Sequence, residues 1–442
     1  MSTSDWIKYQ LKANVVAPPV LRVQRWREEQ KARARVPRAD DQLTPPLIST
    51  LKMKEMMSRH YAQATCADGA RKVAWVTSGA PIEVLRALGF FIFYIDNHAA
   101  LCGARREADA LSEIAENEGY SRDICSYVRT DLGVMLSGNT PIGRLPKPDL
   151  IVCCNNICQT ILNWYRILAD HTKAPFYVVD TPFLYGDVEP HQVAFVQRQL
   201  EDLTSVAEQI SGKRLSWKRL RQVVELSRDT CNLYLEILDR AKHHPAPIGA
   251  FDAFINMGPV VTLRGEQGAV DFYRGLLAEV DDRIARGIGI VKHERKRVLW
   301  DNLPVWHKIS WLSHTLADRG VAVVLSNYTY AWGELAPMLD PDRPMESTAR
   351  IYLSVLLNRS AKDKLERMQA MVKDFSLDGV ILHSDRSCKP YSFGQVDQRT
   401  QLVTGMDLPA LLLEADHSDT RVFSEEQVAT RLEAFVETMD NM

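Results

Sequence analysis

Leu150-Ile151-Val152-Cys153-Cys154-Asn155-Asn156-Ile157-Cys158 is the stretch from which the fold is read. An apolar run the length of a buried strand ends in two asparagines, and a helical segment over residues 157–170 follows at once. A strand buried on both faces and followed by a helix is the unit of a parallel sheet. Toward the N-terminus the pattern repeats. Residues 71–77 form another short apolar run, then Ser78-Gly79-Ala80, then a helix over 81–88 with Pro81 suited to its first turn. Residues 90–95 read as a second strand, 107–119 and 121–135 as helices, and 175–180 as a further strand.

Toward the C-terminus, residues 191–209 and 217–242 are long helical segments rich in helix formers. They end at His243-His244-Pro245-Ala246-Pro247. A second α/β series follows, with strands at 297–301, 321–326, 379–383 and 409–414 and helices at 269–285, 306–319, 361–375 and 425–439. The region before residue 71 reads as a helical arm broken up by Pro18, Pro19, Pro37, Pro45 and Pro46. The expected class is α/β: two Rossmann-like parallel-sheet domains with a helical N-terminal arm and a helical connector. The arm covers residues 1–70, the first α/β domain 71–190, the connector 191–247 and the second α/β domain 248–442. No close internal sequence repeat relates the two halves, which leaves a relation in shape open.

A chain of 442 residues has room for two or three domains. Its net charge of −2 argues against a broad nucleic-acid surface, and 46% apolar residues rules out disorder as the main state. No apolar run approaches the roughly 20 residues of a membrane span. The first eleven residues carry no signal-peptide core, so the chain is expected in the cytoplasm. Gly-x-Gly-x-x-Gly and Walker-type loops are absent, so nucleotide is not expected to bind to this chain in those ways.

Eight cysteines in a cytoplasmic protein are not read as a disulfide framework. Cys158 opens a helix just after a strand, and Cys388 follows the strand at 379–383. Ligands of open α/β sheets collect beyond the carboxyl ends of the strands, so both thiols are expected at equivalent edges, facing one cleft. Cys125, within the predicted helix 121–135, is placed to cap the same cleft. Two readings stand side by side. The three are separate buried thiols, or they converge on a metal group such as three irons of a [4Fe–4S] cube, with a helix N-terminus favouring the Cys158 thiolate. Cys153 and Cys154 are adjacent in a strand and point to opposite faces, where sheet packing explains Cys153. Cys154, four residues before Cys158, keeps a plausible ligand spacing. Cys66, Cys102 and Cys231 read as packing residues.

Three segments carry a resemblance. Gly119-Tyr120-Ser121-Arg122-Asp123-Ile124-Cys125-Ser126-Tyr127-Val128-Arg129, Asn155-Asn156-Ile157-Cys158 and His383-Ser384-Asp385-Arg386-Ser387-Cys388-Lys389-Pro390 occur in the order of the three cysteine motifs of the 2-hydroxyacyl-CoA dehydratase and benzoyl-CoA reductase family. Tyr94-Ile95-Asp96-Asn97-His98-Ala99-Ala100 resembles a further segment of that family. The resemblance implies a [4Fe–4S] cluster held by Cys125, Cys158 and Cys388. It also implies a sister cluster-bearing subunit, and a separate ATP-hydrolysing activator supplied by ferredoxin, with ATP used there and not bound here. In the dehydratases the delivered electron makes a ketyl radical and water leaves; in the reductases electrons enter the ring of benzoyl-CoA. The segments 123–133, 255–259 and 263–265 resemble the larger catalytic subunit of ATP-dependent benzoyl-CoA reductase. The expected function is therefore reduction of benzoyl-CoA to a cyclic dienoyl-CoA. The alternatives are a 2-hydroxyacyl-CoA dehydratase subunit, a non-catalytic electron-relay subunit, and a metal-free α/β binding protein.

His98, expected at a strand end, and His307, past another strand, are candidate proton donors, each set against a purely structural histidine. Ser384 and Arg386 are candidates to meet a cluster sulfide or a CoA phosphate, or else to cap the loop. Trp306, Trp311, Tyr328 and Tyr330 are candidates for an aromatic pocket, or else core.

Overall fold

The computed structural model describes residues 3–34 and 40–442. Eight strands form two four-stranded sheets in which every pairing is parallel. The first sheet holds β1 (Val73–Val76), β2 (Phe91–Tyr94), β3 (Leu150–Cys154) and β4 (Phe176–Val179) in the order β2-β1-β3-β4. The second holds β5 (Lys296–Asp301), β6 (Val321–Ser326), β7 (Gly379–Asp385) and β8 (Ala410–Ala415) in the order β6-β5-β7-β8. Counted from its own first strand, each sheet has the same order. Two halves without a close sequence repeat thus share a topology. In both, the first strand lies between the second and the third, and a crevice opens beyond the carboxyl ends where the winding reverses.

Because the strands are buried on both faces, alternate side chains feed two cores. Ala74, Val76, Ile92, Val152 and Cys154 enter one; Trp75, Phe93, Ile151 and Cys153 enter the other. Cys153 and Cys154 therefore pack on opposite faces of the first sheet.

Two long helices, Pro190–Ser211 and Trp217–Asp239, follow β4. Glu189 and Gln192 form a capping box at the first, and the Ser216 hydroxyl accepts the Arg219 N–H at the second. Leu339, Met345, Ala349 and Leu353, distant in sequence, join Val193, Leu200 and Val224 in the core of the first half. Chain from the second half thus closes the core of the first.

Helices Thr3–Gln10 and Ala17–Ala34 are joined by a π turn, Leu11–Val16. This corrects the expectation that Pro18 and Pro19 break the arm. A proline cannot bond to the carbonyl four residues back, and its ring crowds that carbonyl. The wider π turn immediately ahead of the pair accommodates both. Pro37 lies outside the described residues. Pro45 and Pro46 do precede a new helix, Ser49–Ala64, whose Ile48 and Ser49 N–H groups donate to the Glu279 carboxylate at 2.6 and 2.8 Å. His60 of that helix stacks on Phe91 of β2 with ring centroids 5.1 Å apart, which seats the arm on the first half. Among the described residues no helix is long and apolar enough to cross a membrane.

Candidate active site

Cys125, Cys158 and Cys388 come from three separate segments, and each is the residue that caps the N-terminus of a helix. The helices are Ser126–Ser137, Gln159–Thr172 and Lys389–Ser392. Cys125 was expected within a helix; instead the chain turns at 121–124, where the Asp123 N–H donates to Ser121 Oγ, and the helix begins only after the cysteine. The three thiols line one cavity of about 220 Å³, walled by Tyr127, Leu303, Tyr328, Trp332 and other apolar or aromatic side chains. Cys158 and Cys388 follow the third strand of their respective sheets, so the two crevices meet at this cavity. The Cys158 loop is pinned by Asn156, whose amide donates to the Tyr352 carbonyl at 2.7 Å and the Gly79 carbonyl at 3.0 Å.

Burial pushes the Cys158 thiol up to about 12, and the nearby Cys125 adds to the effect. Burial likewise holds Cys388 well above its ordinary range, reinforced by Asp385, Cys125 and Cys158. Thiols that oppose one another's ionisation in a dry cavity become thiolates when a cationic group joins them. Among the described residues the set whose three ligand atoms all lie within 4.8 Å of one another is Asp385, Asp416 and His417, not the cysteines. Two sulfurs on one ion at bonds of about 2.3 Å cannot stand more than about 4.6 Å apart. The thiols therefore surround a volume larger than a single ion, and the donor chemistry fits a cluster of irons and sulfides bound by three cysteines. Cys231 also reaches the wall, but no thiol is among the groups that shift it. Burial raises it, Arg264 eases that rise, and Glu83 adds to it. Cys154 is packed in the sheet core, away from the cavity.

A second, larger cavity of about 1030 Å³ lies under the N-terminal arm. Lys12, Arg25, Lys54, Arg105 and Arg106 supply its cations; Phe254, Trp306, Tyr127 and Tyr328 supply aromatic wall. Ser78, Asp96, Tyr127 and Tyr328 line both cavities, so the two adjoin. At that junction Asp96 accepts the Ser78 N–H at 2.9 Å and also the Ser78 hydroxyl. Burial pushes the Asp96 carboxyl up, opposed by those hydrogen bonds. The pair was not foreseen from the sequence, although Ser78 and Asp96 each lie two residues beyond the ends of neighbouring strands β1 and β2.

His98 is not at a strand end. β2 stops at Tyr94 and the helix Ile95–Ala104 starts without a loop, which carries His98 into the interior. Its Nδ1 lies 3.1 Å from Asp131 and its Nε2 2.7 Å from Thr140 Oγ1, and it lines neither cavity. His307 lies in the turn Trp306–Lys308 and does line the larger cavity. It is buried, both ring nitrogens lack a partner, and burial lowers its pKa to about 4. Ser384 lies within β7 and does not line the thiol cavity; three residues on, Ser387 does. Arg386 points to a separate surface groove and pairs with Glu414 at 3.7 Å. Of the four aromatic candidates, Trp306 and Tyr328 line the larger cavity, while Trp311 packs on Phe423 and Tyr330 bonds to Asp239. Also unforeseen is His417, fully buried behind Cys125. Burial disfavours its charge, but Asp385 and Asp416 beside it outweigh this and hold it well above its ordinary range.

The profile of the 2-hydroxyglutaryl-CoA dehydratase D-component matches residues 77–439, a span that contains both sheets from the end of β1 onward and all three cavity-lining N-cap cysteines. The chain belongs to that family. Among its relatives, the (R)-2-hydroxyisocaproyl-CoA dehydratase alpha subunit of Clostridioides difficile is 30% identical over 392 residues, which is 88% of this chain and 95% of the relative. The (R)-phenyllactyl-CoA dehydratase alpha subunit of Clostridium sporogenes is 29% identical, covering 88% of this chain and 97% of the relative. A benzoyl-CoA reductase subunit of Thauera aromatica is 28% identical, covering 89% of this chain and 94% of the relative. This member of the dehydratase D-component family is thus similar along most of its length to subunits of both dehydratases and a reductase.

Proposed function

We propose that this chain is the iron–sulfur catalytic subunit of an ATP-dependent benzoyl-CoA reductase. The observation that carries the reading is the convergence of Cys125, Cys158 and Cys388, each at a helix N-terminus, on one apolar cavity that adjoins a larger cavity lined by cations. Cys125, Cys158 and Cys388 would hold a [4Fe–4S] group, which when bound would supply one-electron transfer. The rest is done by this chain's own side chains. Lys12, Lys54, Arg105 and Arg106 would meet the phosphates of the CoA moiety, Arg25 being paired with Glu29 and Glu55. Tyr127, Tyr328 and Trp306 flank the acyl group and keep water from it. Asp96, its carboxyl pushed up by burial against the hydrogen bonds from Ser78, is the carboxyl placed to relay a proton where the two cavities meet. His307, neutral at neutral pH and with both ring nitrogens unpartnered, offers one N–H donor to the thioester carbonyl. Ring reduction takes two electrons and two protons per benzoyl-CoA. The electrons come from ferredoxin through a partner that hydrolyses ATP, and a sister cluster-bearing subunit completes the enzyme.

A second reading is dehydration of a 2-hydroxyacyl-CoA, favoured by the relatives named as dehydratase alpha subunits. In it Asp96 would protonate the leaving hydroxyl. An anaerobic assay of the assembled complex with activator, ATP and reductant separates the two. Benzoyl-CoA consumed with two electrons per cyclic dienoyl-CoA formed supports the reductase. Untouched benzoyl-CoA, with a 2-hydroxyacyl-CoA dehydrated and no net reductant used, establishes the dehydratase in its place.

A further inference from the structure

A buried line of hydrogen bonds crosses between the two halves behind the thiols, and the reaction described above makes no use of it. It begins at Asp385, the last residue of β7, whose Oδ2 lies 2.7 Å from His417 Nδ1. The other ring nitrogen, Nε2, lies 2.8 Å from Ser126 Oγ and 3.8 Å from Cys125 Sγ. Asp385 and His417 belong to the second half, Cys125 and Ser126 to the first. His417, Asp385 and Ser126 are all buried. The remaining oxygen of Asp385 accepts the backbone N–H groups of Ser387 and Cys388 at 3.2 and 3.3 Å. Ser387 Oγ accepts the Ser126 N–H at 3.1 Å and donates to Asp416 at 2.5 Å. Asp416 also stands 3.9 Å from His417 Nδ1, and Tyr127 meets the imidazole edge-on at 4.1 Å between centroids. One carboxylate therefore fixes both the turn that carries Cys388 and the ring that touches Cys125.

We propose that His417 is a positioning residue for the cluster: bridged from Asp385 to Ser126 and Cys125, it sets the Cys125 thiol of the first half against the Cys388 thiol of the second. The inference rests on the reading that these cysteines bind iron and sulfide. Three ligands supplied by two halves of a chain converge only if the halves are fixed relative to one another. A satisfied polar network in a dry interface does this well, because breaking any member leaves buried groups unpaired. Partners that orient a ligand matter to metal retention nearly as much as the ligand itself. A hydrogen-bonding group beside a cluster sulfur also favours the more negative, reduced state and so raises the reduction potential.

The test compares the wild-type chain with His417→Ala, His417→Gln and Ser126→Ala, all purified anaerobically at full length. Three quantities are read: iron per chain, the rate of iron loss to excess chelator, and the midpoint potential from a redox titration followed by electron paramagnetic resonance. His417→Ala is expected to lose iron about tenfold faster than wild type and to shift the potential to more negative values. His417→Gln, whose amide reaches toward Ser126, recovers part of both changes. Ser126→Ala moves both in the same direction by less. Wild-type release rate and potential in His417→Ala overturn the proposal. If His417→Ala does not fold by circular dichroism, Ser126→Ala decides alone, and no change in it overturns the proposal. Absence of iron from the wild-type chain overturns the cluster reading instead; iron in wild type with unaltered variants overturns only the role of His417.

Discussion

Cys125, Cys158 and Cys388 differ from the other five cysteines in their backbone setting. Each is the N-cap residue of a helix that begins at the cavity wall. Cys125→Ser, Cys158→Ser and Cys388→Ser are each expected to abolish iron binding and turnover, measured by iron and acid-labile sulfide after anaerobic purification. Cys231→Ser is expected to retain both, although its side chain touches the same wall; loss of iron in it would add a fourth ligand. Asp96→Asn separates iron binding from proton supply. It should keep the iron and lose most of the activity, and it should abolish any fall in wild-type rate as pH rises through the raised Asp96 value. His307 gives the opposite sign in stability. Its folded pKa of about 4 lies below the unfolded 6.5, so the unfolded chain binds the proton more readily. The stability it contributes is present above pH 6.5 and is lost as pH falls toward about 4, by at most about 3 kcal/mol. His307→Asn should therefore show a smaller drop in Tm between pH 7 and pH 5 than wild type, measured by thermal melts in matched buffers.

Backbone approach between elements is as restrictive as the side chains. A Cβ on Gly79 would stand 2.6 Å from Asn156 Oδ1 and 2.8 Å from the tip of Ile157, in the loop that delivers Cys158. Gly79→Ala should therefore displace that loop and lower iron content while leaving the helical circular dichroism unchanged; full iron content would show that the loop yields at no cost. At this scale much was legible in the sequence. All eight strands lie within two residues of their expected ends, because strands buried on both faces read as unbroken apolar runs. Less was legible where elements meet without punctuation. Tyr94 ends β2 and Ile95 opens a helix, so His98 reads as a strand end and Asp96 is overlooked. Short helices such as Ala250–Asn256 and Gly258–Thr262 span too few turns for a period to show. Pro18 and Pro19 carry a strong breaker signal that a π turn overrides. The Asp385–His417–Ser126 line joins residues 32 and 291 positions apart, a pairing that only the packing of the two halves creates.

Taken whole, the described residues present a thiol cavity between two sheets of the same strand order and an adjoining larger cavity with cationic and aromatic side chains in its wall. A cluster held in that cavity would pass one electron at a time, whereas a closed-shell product of ring reduction needs two. The chain has no phosphate-binding loop of the Walker kind with which to drive an uphill electron by nucleotide hydrolysis. The relatives are named as subunits. The isolated chain is accordingly expected to carry iron but to show no turnover with benzoyl-CoA, ATP and reductant. Activity should appear only when a sister subunit and an ATP-hydrolysing electron donor are added, and should rise with the sister subunit until the two are equimolar. Native mass and activity measured across that titration check the expectation. A monomer of this chain that turns over at the full rate with no added protein would overturn it, and would place the second electron's path within these 442 residues.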